Sequence, residues 1–112
     1  TIKYADFSRN ELRVLTNEIY QLFNLRRIDL SHNKLQNLPV ELGRLGSLRD
    51  CDLSYNKLQQ LPASMGGLTS LRWLNLSHNR IVDLPIGLGG LTALRDADLT
   101  RNRLKTFPHT VA

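Results

Sequence analysis

Apolar residues recur along this chain in a frame of 23 residues, anchored by Asn10, Asn33, Asn56, Asn79 and Asn102. The second unit sets Leu25, Ile28, Leu30, Leu35, Leu38, Leu42 and Leu45 among polar neighbours. The third repeats the spacing with Leu48, Cys51, Leu53, Leu58, Leu61, Met65 and Leu68, and the fourth with Leu71, Leu74, Leu76, Ile81, Leu84, Leu88 and Leu91. A fixed period in the twenties predicts stacked supersecondary units, each closed only by burying its apolar face on its neighbours. The first part of each unit alternates. Ile28 and Leu30 face inward while Arg27 and Asp29 face outward, the two-residue period of a short strand. A strand this short must be followed by a reversal, and the asparagine supplies it: its amide can hydrogen-bond backbone groups at the turn and in adjacent repeats. Stacked, the five asparagines are expected to form a buried ladder.

The frame divides a single array over 1–112 at 2–24, 25–47, 48–70, 71–93 and 94–112. The first unit is divergent, with Thr16 where the next three carry Pro39, Pro62 and Pro85, and the fifth stops at Ala112 before its last apolar position. The pattern LxxLxLSxNxLxxLPxxLGxL, read from residues 25–45, 48–68 and 71–91, resembles the leucine-rich repeat family over almost the whole chain. The Leu-Pro pair and the unit length are most similar to the intracellular subclass of Scribble-, Erbin- and Ras-suppressor-like scaffolds and plant intracellular Ras-group proteins. The resemblance implies an α/β fold: a curved solenoid of about five repeats, with a parallel sheet on the concave face and a short irregular or helical convex side. It also implies a binding role, with no catalytic residue, no metal and no cofactor.

Neither end carries a polar capping motif, since the chain opens at Ile2 inside a repeat and closes after Pro108 with Val111 and Ala112. Arrays of this kind normally need caps for solubility, so the expectation is a segment of something longer or a piece buried in a larger assembly. The one cysteine, Cys51, replaces inward-facing Ile28 and Leu74 of sister units and is expected to be a small buried hydrophobe. With one cysteine no disulfide can form within the chain, which points to an intracellular, cytoplasmic setting. No apolar run approaches membrane-spanning length.

The formal charge of +5 raises nucleic acid or acidic partners, and the distribution narrows them. Basic residues line the second position (Lys3, Arg26, Arg49, Arg72, Arg95) and the tenth (Lys34, Lys57, Arg80, Arg103), with Asp6, Asp29, Asp52, Asn75 and Asp98 between them at the fifth. Strands about 4.8 Å apart make this an acidic stripe between two basic ones, its repulsion relieved by the neighbouring arginines. A phosphate backbone would meet carboxylates at the centre of the groove. RNA is thereby restricted to an edge, Arg26, Arg49, Arg72 and Arg95, as in a structural subunit of a ribonucleoprotein. A further alternative is an accessory array of an enzyme whose catalytic domain lies outside the chain. The aspartate row itself offers no acid–base pair, because equivalent positions give no divergence of pKa.

Recognition positions are sought where the repeat leaves side chains free. The third position reads Tyr4, Arg27, Asp50, Trp73 and Asp96, changing character at every step while the columns beside it stay nearly uniform. Aromatic and arginine residues dominate interface energetics, so Trp73 either anchors a partner or lies flat on neighbouring side chains. At the eighth position stand Arg9, His32, Tyr55, His78 and Arg101, either exposed turn residues or a recognition strip. His32 and His78 lie two units apart, too far to share a zinc ion. Gly66-Gly67 and Gly89-Gly90 are expected to permit a tight path on the convex return, and exposed Val40, Ala63 and Ile86 follow the prolines there. The expectation is a protein–protein recognition module whose concave grid is Tyr4, Arg27, Asp50, Trp73 and Asp96, extended by His32, Tyr55, His78 and Arg101.

Overall fold

A computed structural model describes residues 2–105. The end at Pro108, Val111 and Ala112, and with it the close of the fifth unit, lies outside the described residues. One three-residue strand forms per unit: β1 Tyr4–Asp6, β2 Arg27–Asp29, β3 Asp50–Asp52, β4 Trp73–Asn75 and β5 Asp96–Asp98. They pair in chain order as a five-stranded parallel sheet, shifting by one repeat at every step, so that Ala5, Ile28, Cys51, Leu74 and Ala97 share one row. Pairing continues past the strands. The Phe7 N–H donates to the Asp29 carbonyl at 2.8 Å, and the Lys34 N–H to that of Leu12 at 2.8 Å.

The return path on the other side is a single 3-10 turn in each of the first four units, over Asn17–Gln21, Val40–Arg44, Ala63–Gly67 and Ile86–Gly90. The residue before each turn is extended, with Pro39, Pro62 and Pro85 at φ −70, −69 and −70. Proline presets that angle. Thr16 reaches φ −74 and ψ 161 without the ring, which is why the first unit can depart from the pattern there. The molecule is thus a curved solenoid of sheet on one side and 3-10 turns on the other, 39 × 30 × 21 Å.

Between the two sides runs one apolar core from Ile19 to Leu91, in which Leu30, Leu53 and Leu76 are fully buried, with Leu12, Leu15, Leu94, Leu99 and Leu104 half-covered at its ends. Cys51 lies inside it as a free thiol. Burial pushes that thiol well above its ordinary pKa, with Asp52 and Asp29 adding to the effect, so it is a packing residue and a poor nucleophile. The 3-10 turns approach so closely that there is no room for a side chain at several glycines. A Cβ on Gly67 would sit 2.6 Å from the Gly43 carbonyl oxygen, and one on Gly90 2.6 Å from that of Gly66. The outer surface of these turns exposes Val40, Ala63 and Ile86. In the first unit Tyr20 replaces glycine and carries the Arg44 guanidinium 5.3 Å over its ring.

Candidate recognition surface

Asparagine geometry creates the turn edge of the sheet. The Asn56 amide donates to the carbonyls of Leu30, Leu53 and Ser54 at 2.9, 3.1 and 3.2 Å, and its oxygen accepts from the Leu35 N–H at 3.1 Å. Asn33 and Asn79 repeat this set and are buried with it. Asn102 is half-buried, while Asn10, in the first unit, is exposed and donates only to the carbonyls of Phe7 and Ser8. Among the described residues no buried side-chain polar atom lacks a partner.

The residue before each asparagine is left-handed: Arg9, His32, Tyr55, His78 and Arg101 have φ of 57, 57, 56, 58 and 58. Such angles are unfavourable for side chains of this size. Here each of the first four is held by an N–H donating at 3.0 Å to the next repeat, from Arg9 to Ser31 and from Tyr55 to Ser77 for example. One consequence was not legible in the sequence. The side chains stand in file, so His32 stacks on Tyr55 at 4.3 Å between ring centroids, and Tyr55 on His78 at 4.1 Å, with planes within 10° of parallel. The Tyr55 ring fills the space between the two imidazoles, so they cannot converge on one ion. Among the described residues no group of three or more His, Cys, Asp or Glu could hold a metal.

The third-position residues share one row through all five strands, Tyr4 against Arg27, Arg27 against Asp50, Asp50 against Trp73 and Trp73 against Asp96. Tyr4, Arg27 and Asp96 are exposed, and Asp50 and Trp73 are half-buried. The Arg27 guanidinium lies 5.4 Å from the Tyr4 ring centroid. Trp73 and Tyr55 therefore sit on different parts of the surface, one on the sheet and the other in the stack at its turn edge.

The fifth-position carboxylates find partners within their own turns. Their hydrogen-bond partners are the hydroxyl and N–H two residues on, and among the described residues no arginine comes within ion-pairing distance of them. Asp29 Oδ1 accepts from the Ser31 Oγ at 2.6 Å and from its N–H at 2.9 Å, and Asp6, Asp52 and Asp98 do the same with Ser8, Ser54 and Thr100. The hydroxyl and N–H of Ser8 hold the Asp6 carboxyl below its usual range, with the Arg27 charge adding to the effect, and Thr100 does so for Asp98, with His78 contributing. The Asp-x-Ser spacing was in the sequence, where it signals a local side-chain turn. The one ion pair within 4.0 Å among the described residues is Lys34 with Glu11, at 3.7 Å. Arg26, Arg49, Arg72 and Arg95 form an exposed file at the strand-entry edge.

Comparison with known proteins agrees with this architecture. A family model described as a leucine rich repeat matches residues 23–81. No curated protein matches the chain. Among solved structures, a leucine-rich repeat protein of Leptospira interrogans is 39% identical with a TM-score of 0.89, over 91% of this chain and 26% of its own. TLR13, in its complex with ssRNA13, is 26% identical with a TM-score of 0.85, over 96% of this chain and 16% of its own. An internalin of Listeria monocytogenes, 17% identical, shares the fold at a TM-score of 0.82 over 95% of this chain and 30% of its own. The chain thus spans less than a third of the length of each. With the family model covering more than half of the sequence and these arrays superposing on its sheet and turns, the chain belongs to the leucine-rich repeat family.

Proposed function

We propose that the chain is a protein–protein recognition module that holds its partner on the concave sheet. Leucine-rich repeat arrays are generally interaction modules rather than catalysts. The observation that carries the reading is the third-position row. Side chains of four kinds, differing between every pair of neighbouring repeats, stand on a frame of equivalent strands, so the scaffold is indifferent to their identity and they are free for partner choice. The sheet fixes their positions in advance, and little ordering entropy is lost on binding. Trp73, half-buried at the fourth strand, and Arg27 are the residue types that anchor interfaces. His32, Tyr55, His78 and Arg101 extend the same surface to the turn edge.

The unit length, the Leu-Pro pairs and the single buried thiol favour the intracellular scaffold subclass and a cytoplasmic setting. Among the described residues no helix is long and apolar enough to cross a membrane. A second reading, RNA along the Arg26, Arg49, Arg72 and Arg95 edge, is favoured by the resemblance to TLR13 captured with ssRNA13. The acidic column beside that edge argues against it, and a steep salt dependence of binding would support it.

The test is a nuclease-treated pull-down from extract of the source cells with the parent chain, Trp73→Ala and Tyr55→Ala, each checked for an unchanged melt. Truncating an interface anchor typically costs about 2 kcal/mol, roughly thirty-fold in affinity. A protein partner weakened to that extent by either variant supports the proposal. A partner retained by both moves the interface off this face.

A further inference from the structure

The turn edge holds more positive charge than the fold pairs. Lys34, Lys57, Arg80 and Arg103 form a file one residue past the asparagines, and Arg13 and Lys105 add to it three residues past the first and last of them. Glu11 is the one carboxylate within ion-pairing distance of this file among the described residues, at 3.7 Å from Lys34. The aspartates that could have neutralised it are engaged with Ser8, Ser31, Ser54 and Thr100. A structural role would bring cation and carboxylate together; here the two files are satisfied separately or not at all.

The surface beside these cations is shaped for contact. A shallow trough of about 480 Å³ runs between His32, Lys34, Tyr55, Lys57, His78 and Arg80, with Glu11, the partner of Lys34, as its one carboxylate. It is flanked by a second of about 340 Å³ at Arg13, Lys34 and Lys57 and a third of about 480 Å³ at Gln59, Arg80 and Arg103, where Asp83 is the one carboxylate. The stacked rings also restrict what can lie there. Both faces of Tyr55 are covered by imidazoles, so the three rings present their edges, with N–H and O–H groups, to a ligand. Single-stranded nucleic acid draws much of its affinity from bases stacking on open aromatic faces, and Tyr55, the central ring of this ladder, offers none. A carboxylate needs only hydrogen-bond donors and cations, which the edge supplies.

We infer that the turn edge seats an extended acidic segment of a partner protein along the solenoid axis, its carboxylates on Lys34, Lys57, Arg80 and Arg103 and against the polar edges of His32, Tyr55 and His78. The inference rests on the reading of the chain as a protein-recognition module and specifies the chemistry of the partner. The four cations are three repeat steps of about 4.8 Å from end to end, about 15 Å, so about four or five extended residues are enough to lie along them.

The probe is a fluorescein-labelled peptide of alternating Asp and Ser, about a dozen residues long, followed by anisotropy beside an oligouridine RNA of equal charge. The expected result is saturable peptide binding that falls about tenfold in Lys57→Glu/Arg80→Glu, the scale of two lost charge contacts at an interface. It should fall less than about twofold in Arg49→Glu/Arg72→Glu, which makes the same change of net charge at the opposite edge, beyond screening range of a bound segment. Lys57→Gln/Arg80→Gln, with the melt matched to the parent, repeats the test without adding negative charge. Equal loss at both edges would mean bulk attraction and overturn the inference, as would tighter binding of the RNA or no peptide binding at all. The fate of a captured partner separates this from the broader reading. A partner lost with Trp73→Ala but indifferent to Lys57→Glu/Arg80→Glu keeps protein recognition and sinks the acidic segment. A partner lost on nuclease treatment sinks protein recognition itself.

Discussion

Replacing Asn56 by Ala removes four hydrogen bonds, yet the groups left behind are not equally harmed. The Leu30 carbonyl keeps the amide of Asn33, the Leu53 carbonyl keeps that of Asn79, and the Ser54 carbonyl keeps the N–H of His32 at 3.0 Å. The Leu35 N–H has no such second partner. Its acceptor at 3.1 Å is the Asn56 oxygen, and Leu35 is fully buried. The cost is therefore dominated by one orphaned buried donor, about 1–3 kcal/mol. For a domain of this size that lowers the melting midpoint by about 4–12 °C. Asn10→Ala is the internal comparison, since Asn10 is exposed and its two acceptors lie in its own turn. It is expected to cost less than about 0.5 kcal/mol, the ordinary range for a surface change. A thermal melt followed by circular dichroism reads both variants on one scale. An Asn56→Ala midpoint within a degree of the parent, or an Asn10→Ala loss as large as that of Asn56→Ala, would refute the ladder as the device that joins repeats.

Other outcomes follow from single distances and angles. Gly67→Ala places a methyl 2.6 Å from the Gly43 carbonyl oxygen and is expected to destabilise by about 1–3 kcal/mol, whereas Gly46→Ala meets nothing within 4 Å and should be neutral or stabilising in the same thermal melt. Arg9→Gly relieves a left-handed φ of 57 at a site outside the ring stack, so a gain of about 0.5–1 kcal/mol is expected once the flexibility of glycine is subtracted; a loss of stability would show that the Arg9 side chain holds the turn. Thr100→Val removes the hydroxyl that lowers the Asp98 pKa, and a carbon-detected NMR titration should find that carboxyl moved upward. Because the folded Asp98 pKa is depressed, the stability it contributes is present above its unfolded value near 3.9 and is lost as pH falls through the folded one. The variant should therefore flatten the acid limb of the stability profile below about pH 4.

The architecture was legible because it rests on periodic apolar positions and on one asparagine per unit, signals that reinforce each other at every repeat. Even the departure at Thr16 followed the rule, since an extended backbone is all that proline contributes there. The surface was less so. The fifth-position aspartates are visible as charges that neighbouring arginines relieve, and Arg27 does lower the Asp6 pKa, but the larger effect comes from the Ser8 hydroxyl at 2.6 Å, a partner that charge patterning alone does not name. Nothing in Arg9, His32, Tyr55, His78 and Arg101 announces a left-handed backbone, because the turn imposes the angle and the residue type does not request it. The stack depends on that angle and on imidazole and phenol falling in consecutive repeats. Spacing alone placed the rings in one column without saying that they touch.

The most direct test of recognition on the sheet uses the single tryptophan as its own reporter. The chain is labelled with 5-fluorotryptophan, and fluorine NMR is recorded with and without the captured partner in H2O and D2O. Trp73 is half-buried in the free chain, so its resonance should show a partial solvent isotope shift. On complex formation the account predicts that the line moves and the isotope shift disappears, because a partner seated on the grid excludes water from the indole. A complex confirmed by its mass, with the resonance and its isotope shift unchanged, would contradict the account and place the partner elsewhere on the molecule.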